Sequence, residues 1–143
     1  MQDISHEMLL GIDYGDANIG LAFGREGLTT PLKVISGKNT QVAIADIVRI
    51  SFENKINRII MGLPLTFDGK ETPQSIKIRR FAKTLKIYLK KPLNFVNEVS
   101  TTEEAVSEMV RTAHPRKSRR HPDHFSASLI LKRFYDEQEI NKN

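Results

Sequence analysis

Residues Met8-Leu9-Leu10-Gly11-Ile12 make a short apolar run that ends on one carboxylate, Asp13, followed by Tyr14 and Gly15. A run of this kind suits a strand buried inside a sheet. The acid at its end then needs a partner, a metal or a cleft, because an unpaired buried charge costs several kcal/mol. Gly11 and Gly15 lack a Cβ, so a neighbouring backbone or a ligand can come close on either side of Asp13. The simpler alternative is a strand-end aspartate that caps a turn.

The rest of the chain alternates elements in a telling order. Met8–Ile12 and Ile19–Phe23 read as strands, with turn chemistry at Gly15-Asp16-Ala17-Asn18 between them, and Pro31–Ile35 reads as a shorter third strand. Together they predict an antiparallel meander. Val42–Phe52 has Val42, Ile44, Ala45, Ile47 and Val48 at helical spacing. Arg58–Gly62 is a buried strand leading into the Gly/Pro-containing loop Leu63–Gly69. Gln74–Lys90 is a helix with Ile78, Phe81, Ala82, Leu85, Tyr88 and Leu89 on its apolar side. Leu93–Val96 is a strand ending at Asn97-Glu98. Glu103–Arg111 reads as a helix behind a capping signal at Thr101 or Thr102, and Asp123 caps a last helix, Phe125–Gln138.

An antiparallel three-strand start followed by parallel strands, with helices on both faces, is an α/β fold built on a mixed sheet. Sites in such sheets gather beyond the carboxyl ends of the parallel strands. Asp13 and Glu98 both stand at such an end.

The 143 residues suit a single domain with a core over 8–138 and loose tails at 1–7 and 139–143. No apolar run nears the roughly 20 residues that span a bilayer, and Met1–Glu7 does not resemble a signal segment. Cysteine is absent, which excludes disulfides and thiolate zinc sites and fits a cytoplasmic address.

The net charge of +5 favours an anionic partner. Two blocks hold bases and no acid. One, at 75–91, includes the stripe Arg79, Lys83, Lys86 and Lys90. The other, at 111–121, includes Arg116, Lys117, Arg119 and Arg120. Solvated faces usually mix signs, so both blocks point to phosphates and hence to a nucleic-acid partner. Trp is absent and aromatic residues form no stacking array, so contact to backbone and helix shape fits better than base readout.

Three acids, Asp13, Glu98 and Asp123, sit where an apolar element meets a turn. Clustered carboxylates are the hard oxygen donors that magnesium requires, and such a site hydrolyses phosphodiesters when two ions lie about 3.5–4 Å apart. Spacing in sequence leaves open whether the three converge. His121 and His124 flank Asp123, where either proton transfer or helix capping would suit them.

Four short segments, in order, carry a resemblance. Gly11-Ile12-Asp13-Tyr14-Gly15 with Ile19-Gly20-Leu21-Ala22 is the first, and Gly62-Leu63-Pro64-Leu65 with Asp68-Gly69 the second. Asn97-Glu98 with Thr101-Thr102 and Glu104-Ala105 follows, then Asp123 with Ala127 and Leu129-Ile130-Leu131. Over about residues 8–136 the chain resembles the YqgF family, also called RuvX, of Holliday-junction resolvases and pre-16S ribosomal RNA nucleases.

The resemblance implies a ribonuclease-H-like fold, Mg2+ or Mn2+ as cofactor, and Asp13, Glu98 and Asp123 as catalytic, metal-holding acids. It implies a structured RNA or branched DNA substrate and a monomer or homodimer. The chain departs from the family's pattern at Asn18 and Val99, where basic residues are usual, and at Asn97, where an aspartate is usual. Fewer bases near the metals would weaken stabilisation of transition-state charge. Two other readings follow from the same residues. One is a nucleic-acid-binding protein that kept the fold without the chemistry. The other is an actin-like ATPase fragment, since Asp13-Tyr14-Gly15 before Gly20 also resembles that superfamily's phosphate loop.

Overall fold

The computed structural model describes residues 3–98 and 124–141. The expected meander is present: β1 (Leu9–Tyr14), β2 (Asn18–Arg25) and β3 (Leu28–Ser36) pair antiparallel in succession. Glu26 and Gly27 join the last two with φ of 51° and 83°, the left-handed pair that a two-residue hairpin turn demands. β3 begins three residues before Pro31, where the sequence reading starts it. It is an edge strand, so the proline's missing N–H is tolerated, and the register with β2 shifts beside it, between Leu21 and Ala22.

Helix α1 (Thr40–Glu53) starts at Asn39, whose side chain accepts from the Val42 amide, and buries Ala43, Ile44, Ile47 and Ile50. β4 (Arg58–Leu63) then runs parallel to β1, and β5 (Leu93–Asn97) parallel to β4. Between them lies α2 (Pro73–Tyr88), started by a reciprocal cap between Thr72 and Ser75 with Pro73 in the first turn. It stops two residues short of Lys90, because Leu89 turns to extended backbone on the approach to Pro92. The sheet order is β3-β2-β1-β4-β5. The last described helix, α3, spans His124–Asn141. The expected helix Glu103–Arg111, the basic loop with Arg116, Lys117, Arg119 and Arg120, and Asp123 lie outside the described residues. Among the described residues, no helix is long and apolar enough to cross a membrane.

Strand alternation sorts the core into two layers. Leu10, Ile12, Ile19, Leu21, Ile59 and Met61 face α1 and α2, where Ile44, Ile47, Ile78, Phe81 and Leu85 meet them. Leu9, Ala22, Ile60 and Val96 face the other way and meet Ala127, Ile130, Leu131 and Phe134 of α3. Each of the larger side chains among them, fully buried, contributes about 1.5–3 kcal/mol. The α3 side is thin because β2 alternates large and small: Ile19, Leu21 and Phe23 point to one face, Gly20, Ala22 and Gly24 to the other. Gly11 continues that shallow surface on β1. A Cβ there would stand 2.6 Å from Leu131 Cγ and 2.9 Å from the Ala127 carbonyl oxygen, so α3 rests almost on the sheet backbone.

Candidate active site

The carboxyl ends of β1, β4 and β5 lie along one edge of the sheet, and two of the three expected acids meet there. Asp13 pairs across to Gly20 on β2 and sits one residue past the Ile12–Met61 pairing, abreast of Gly62 on β4. Glu98 directly follows β5, and its backbone N–H donates to the Leu63 carbonyl at 3.1 Å, adding one more rung to the parallel ladder. Alternation places Asp13 in line with Leu9 and Gly11, Gly62 in line with Ile60, and Glu98 in line with Val96. All three therefore belong to the α3 face.

Gly62 forms the floor beneath Glu98. A Cβ at that position would lie 2.6 Å from Glu98 Cδ and 2.8 Å from Ile130 Cδ1. Any side chain there would displace the carboxyl group, the helix or both. Gly62→Ala is expected to cost about 1–3 kcal/mol by overpacking. It should also lower cleavage more than that loss of folded protein explains, which parallel thermal melts and rate measurements on the variant would show. A rate equal to that of the parent would mean that Glu98 has room to move.

Electrostatics tie the two acids together. Burial pushes the Glu98 carboxyl up to about 7, the neighbouring Asp13 carboxylate pushes in the same direction, and Arg133 on α3 opposes them. Each carboxylate raises the cost of charging the other, and a positive charge near both lowers it. This is the arrangement that suits a hard divalent ion with oxygen donors. Among the described residues, no group of three or more His, Cys, Asp or Glu gathers in this way.

The opposite face holds the same edge rigid. The Tyr14 ring packs at a tilt against Phe81 with centroids 4.7 Å apart, its carbonyl accepts from Gln74, and burial raises its hydroxyl pKa, followed by the effect of Asp16. Asp16 in turn pairs with Lys77 at 3.1 Å. The basic stripe of α2 also lies on this side, so the sheet separates it from the two acids. Arg79 is committed to Glu71 through two hydrogen bonds of 2.8 Å and lies 5.3 Å above the Phe95 ring, while Lys83, Lys86 and Lys90 are exposed.

Gly62 stands in one of the segments that carry the resemblance but has no expected role at the site there, and Arg133 is not among the candidate residues. A glycine ending the apolar run Ile59-Ile60-Met61 was the available signal for the first. For the second it was a position one turn beyond Ile130, whose side chain reaches the Gly62 floor.

A mixed sheet in this order, with two acids at its carboxyl edge beneath α3, is a ribonuclease-H-like arrangement. A family model described as RuvX, Holliday junction resolvase, matches residues 7–137, and the chain belongs to that family. A relative from Chloroflexus aurantiacus named "Putative pre-16S rRNA nuclease" is 33% identical, over 98% of this chain and 94% of its own length. One of the same name from Syntrophus aciditrophicus is 37% identical, over 90% and 87%. Among solved structures, Thermus thermophilus RuvC in complex with a Holliday junction substrate matches 94% of this chain and 97% of its own, with a TM-score of 0.59 at 17% identity. That likeness establishes the fold.

Proposed function

We propose that this protein is a divalent-metal-dependent endonuclease that cuts structured nucleic acid, acting in the trimming of the 5′ end of precursor 16S ribosomal RNA. The observation that carries the reading is the meeting of Asp13 and Glu98 above Gly62 on one face and edge of the sheet. The name that the relatives carry supports ribosomal RNA as the substrate. The family's description as a resolvase supports branched DNA as the second reading. The test is cleavage of labelled precursor RNA against a labelled four-way junction, each with magnesium or manganese. Junction cutting without RNA cutting would exchange the two readings, and cutting of neither would favour a binding protein.

Asp13, Glu98 and Asp123 are the proposed holders of Mg2+, with Mn2+ as a substitute. Asp123 directly precedes α3, four residues before Ala127 and seven before Ile130, which are both buried against the sheet. That helical phase supports its joining the pair. A bound ion would supply Lewis acidity toward the phosphoryl oxygens. Asp13 and Glu98 would supply its negative oxygen donors from the ends of rigid strands, and Ile130 would keep water from one side of Glu98. Arg133 would add a positive charge on the helix side, in a chain that has Asn18 and Val99 where bases are usual. The whole chain acts in this reading as one domain, monomeric or as a homodimer. Its cysteine-free composition fits the reducing cytoplasm.

Arg116, Lys117, Arg119 and Arg120 are the proposed grip on phosphate, since they lead directly into Asp123, with Lys83, Lys86 and Lys90 as a further contact. Arg79 is the weaker member of that stripe because Glu71 already holds it. Replacing the four loop bases with alanine should weaken binding to every sequence alike. It should also flatten the dependence of log K on log salt by roughly 0.7–0.9 for each phosphate that the variant no longer neutralises. An unchanged slope would assign the loop to solvent.

A further inference from the structure

We propose that Phe67 is a stacking platform for an unpaired nucleobase beside the site, so that the protein selects strands interrupted by a bulge, loop or branch. Phe67 is 80% exposed. Single exposed apolar side chains are ordinary on protein surfaces, but this one differs in how it is held and where it stands. The turn that carries it is tied by its own polar groups: the Thr66 amide donates to the Lys70 carbonyl at 2.8 Å, the Gly69 amide to the Thr66 carbonyl at 2.8 Å, and the Lys70 amide to the Thr66 hydroxyl at 2.8 Å. Gly69 takes a φ of 83°, which closes the turn. Leu65 anchors one root in the core, and the Thr72 hydroxyl anchors the other by donating to the Pro64 carbonyl at 2.7 Å. A ring held out on a braced turn has little freedom left to lose on binding, which favours stacking.

The place is as particular as the support. The turn leaves β4 directly after Gly62 and Leu63, and the Leu63 carbonyl is the group that the Glu98 amide bonds. Four Cα steps of about 3.8 Å put Phe67 within roughly 15 Å of Leu63, or about four to five base steps of a strand. Asp68 and Lys70, which both follow Phe67 in the turn, form an ion pair at 3.5 Å, so the turn presents an aromatic face without a net negative charge to repel phosphate. A base still stacked and paired offers its edge to such a ring. An unpaired base offers its π-face, worth about 1–3 kcal/mol per base whatever its identity.

The inference rests on the nucleic-acid reading above and is tested so that the two fail separately. Equilibrium binding in EDTA at low salt would compare a fully paired RNA duplex with the same duplex carrying one unpaired adenine. Phe67→Ala should weaken binding to the interrupted duplex by about 5- to 150-fold and change binding to the paired one less than about twofold. Phe67→Trp should keep the wild-type preference. Because the chain has no tryptophan, the introduced indole is the sole reporter of its kind, and its fluorescence should be quenched by the interrupted duplex alone. Equal loss on both duplexes, or no loss together with no quenching, overturns the stacking role while leaving nucleic-acid binding intact. Failure of the wild type to bind either duplex overturns both readings.

Discussion

Asp13→Asn is expected to lower cleavage by about a thousandfold while leaving the metal-free protein at least as stable as before. The first effect follows from removing one anionic oxygen donor from the proposed metal site, since several kcal/mol of charge stabilisation correspond to that rate factor. The second follows from the meeting of like charges. Asp13 is the second cause of the raised Glu98 pKa, after burial, so neutralising it relieves a repulsion. Asp13 ranks below burial among the causes of that rise, so the gain should be smaller than the roughly 3 kcal/mol that the whole rise represents. For a domain of this size each kcal/mol is a few degrees in Tm. Rates with matched metal, and melts in EDTA, would check both. A stable variant that cuts at the parental rate removes Asp13 from the chemistry.

A second large effect is expected in the pH dependence of the metal-free protein. Glu98 titrates at about 7 when folded and near the ordinary glutamate value of 4.5 when unfolded. Its contribution to stability is therefore complete below about pH 4.5 and declines as pH rises through 7. By pH 8 the loss amounts to about 3 kcal/mol. Other groups titrate across this window as well, so the measure is the difference between the wild type and Glu98→Gln in denaturant unfolding at pH 5 and pH 8. The wild type should lose stability relative to the variant as pH rises. Saturating magnesium should return it, about 2.7 kcal/mol at one hundred times Kd. A constant difference across that range would mean that Glu98 keeps its water.

Much of this architecture is legible in the residues. The apolar run into Asp13 and the strand ending at Asn97-Glu98 place two acids at the carboxyl edge by strand direction alone, and the sheet pairing bears that out. Helix phases are readable in part. Ile78, Phe81, Ala82 and Leu85 face inward as their spacing requires. Tyr88, expected on the same side, is exposed in the last turn, and Val42 of α1 and Leu129 of α3 are exposed as well. Pairing in space is harder to read. The acid-free block at 75–91 is not acid-free once folded, because Glu71 reaches Arg79 across the helix start and Asp16 reaches Lys77 from the β1–β2 turn. Gly62 was hidden for a similar reason: a missing side chain acquires meaning only from Glu98 arriving above it from another strand. β3 outran its expected start because the edge of a sheet tolerates a proline that an inner strand would not.

The two layers of core are unequal, and that inequality bears on how the protein opens. Among the described residues, eighteen buried apolar side chains join the sheet to α1 and α2, while eight join it to α3. The smaller seam should give way first, so amides of α3 should exchange with deuterium at a lower free energy than those of β1 and β4. Lifting α3 withdraws Ile130 from Gly62 and rehydrates Glu98 while leaving the strands paired. A molecule opened in this way would be folded and inert, and a tightly bound substrate or ion would draw it back from that state by mass action.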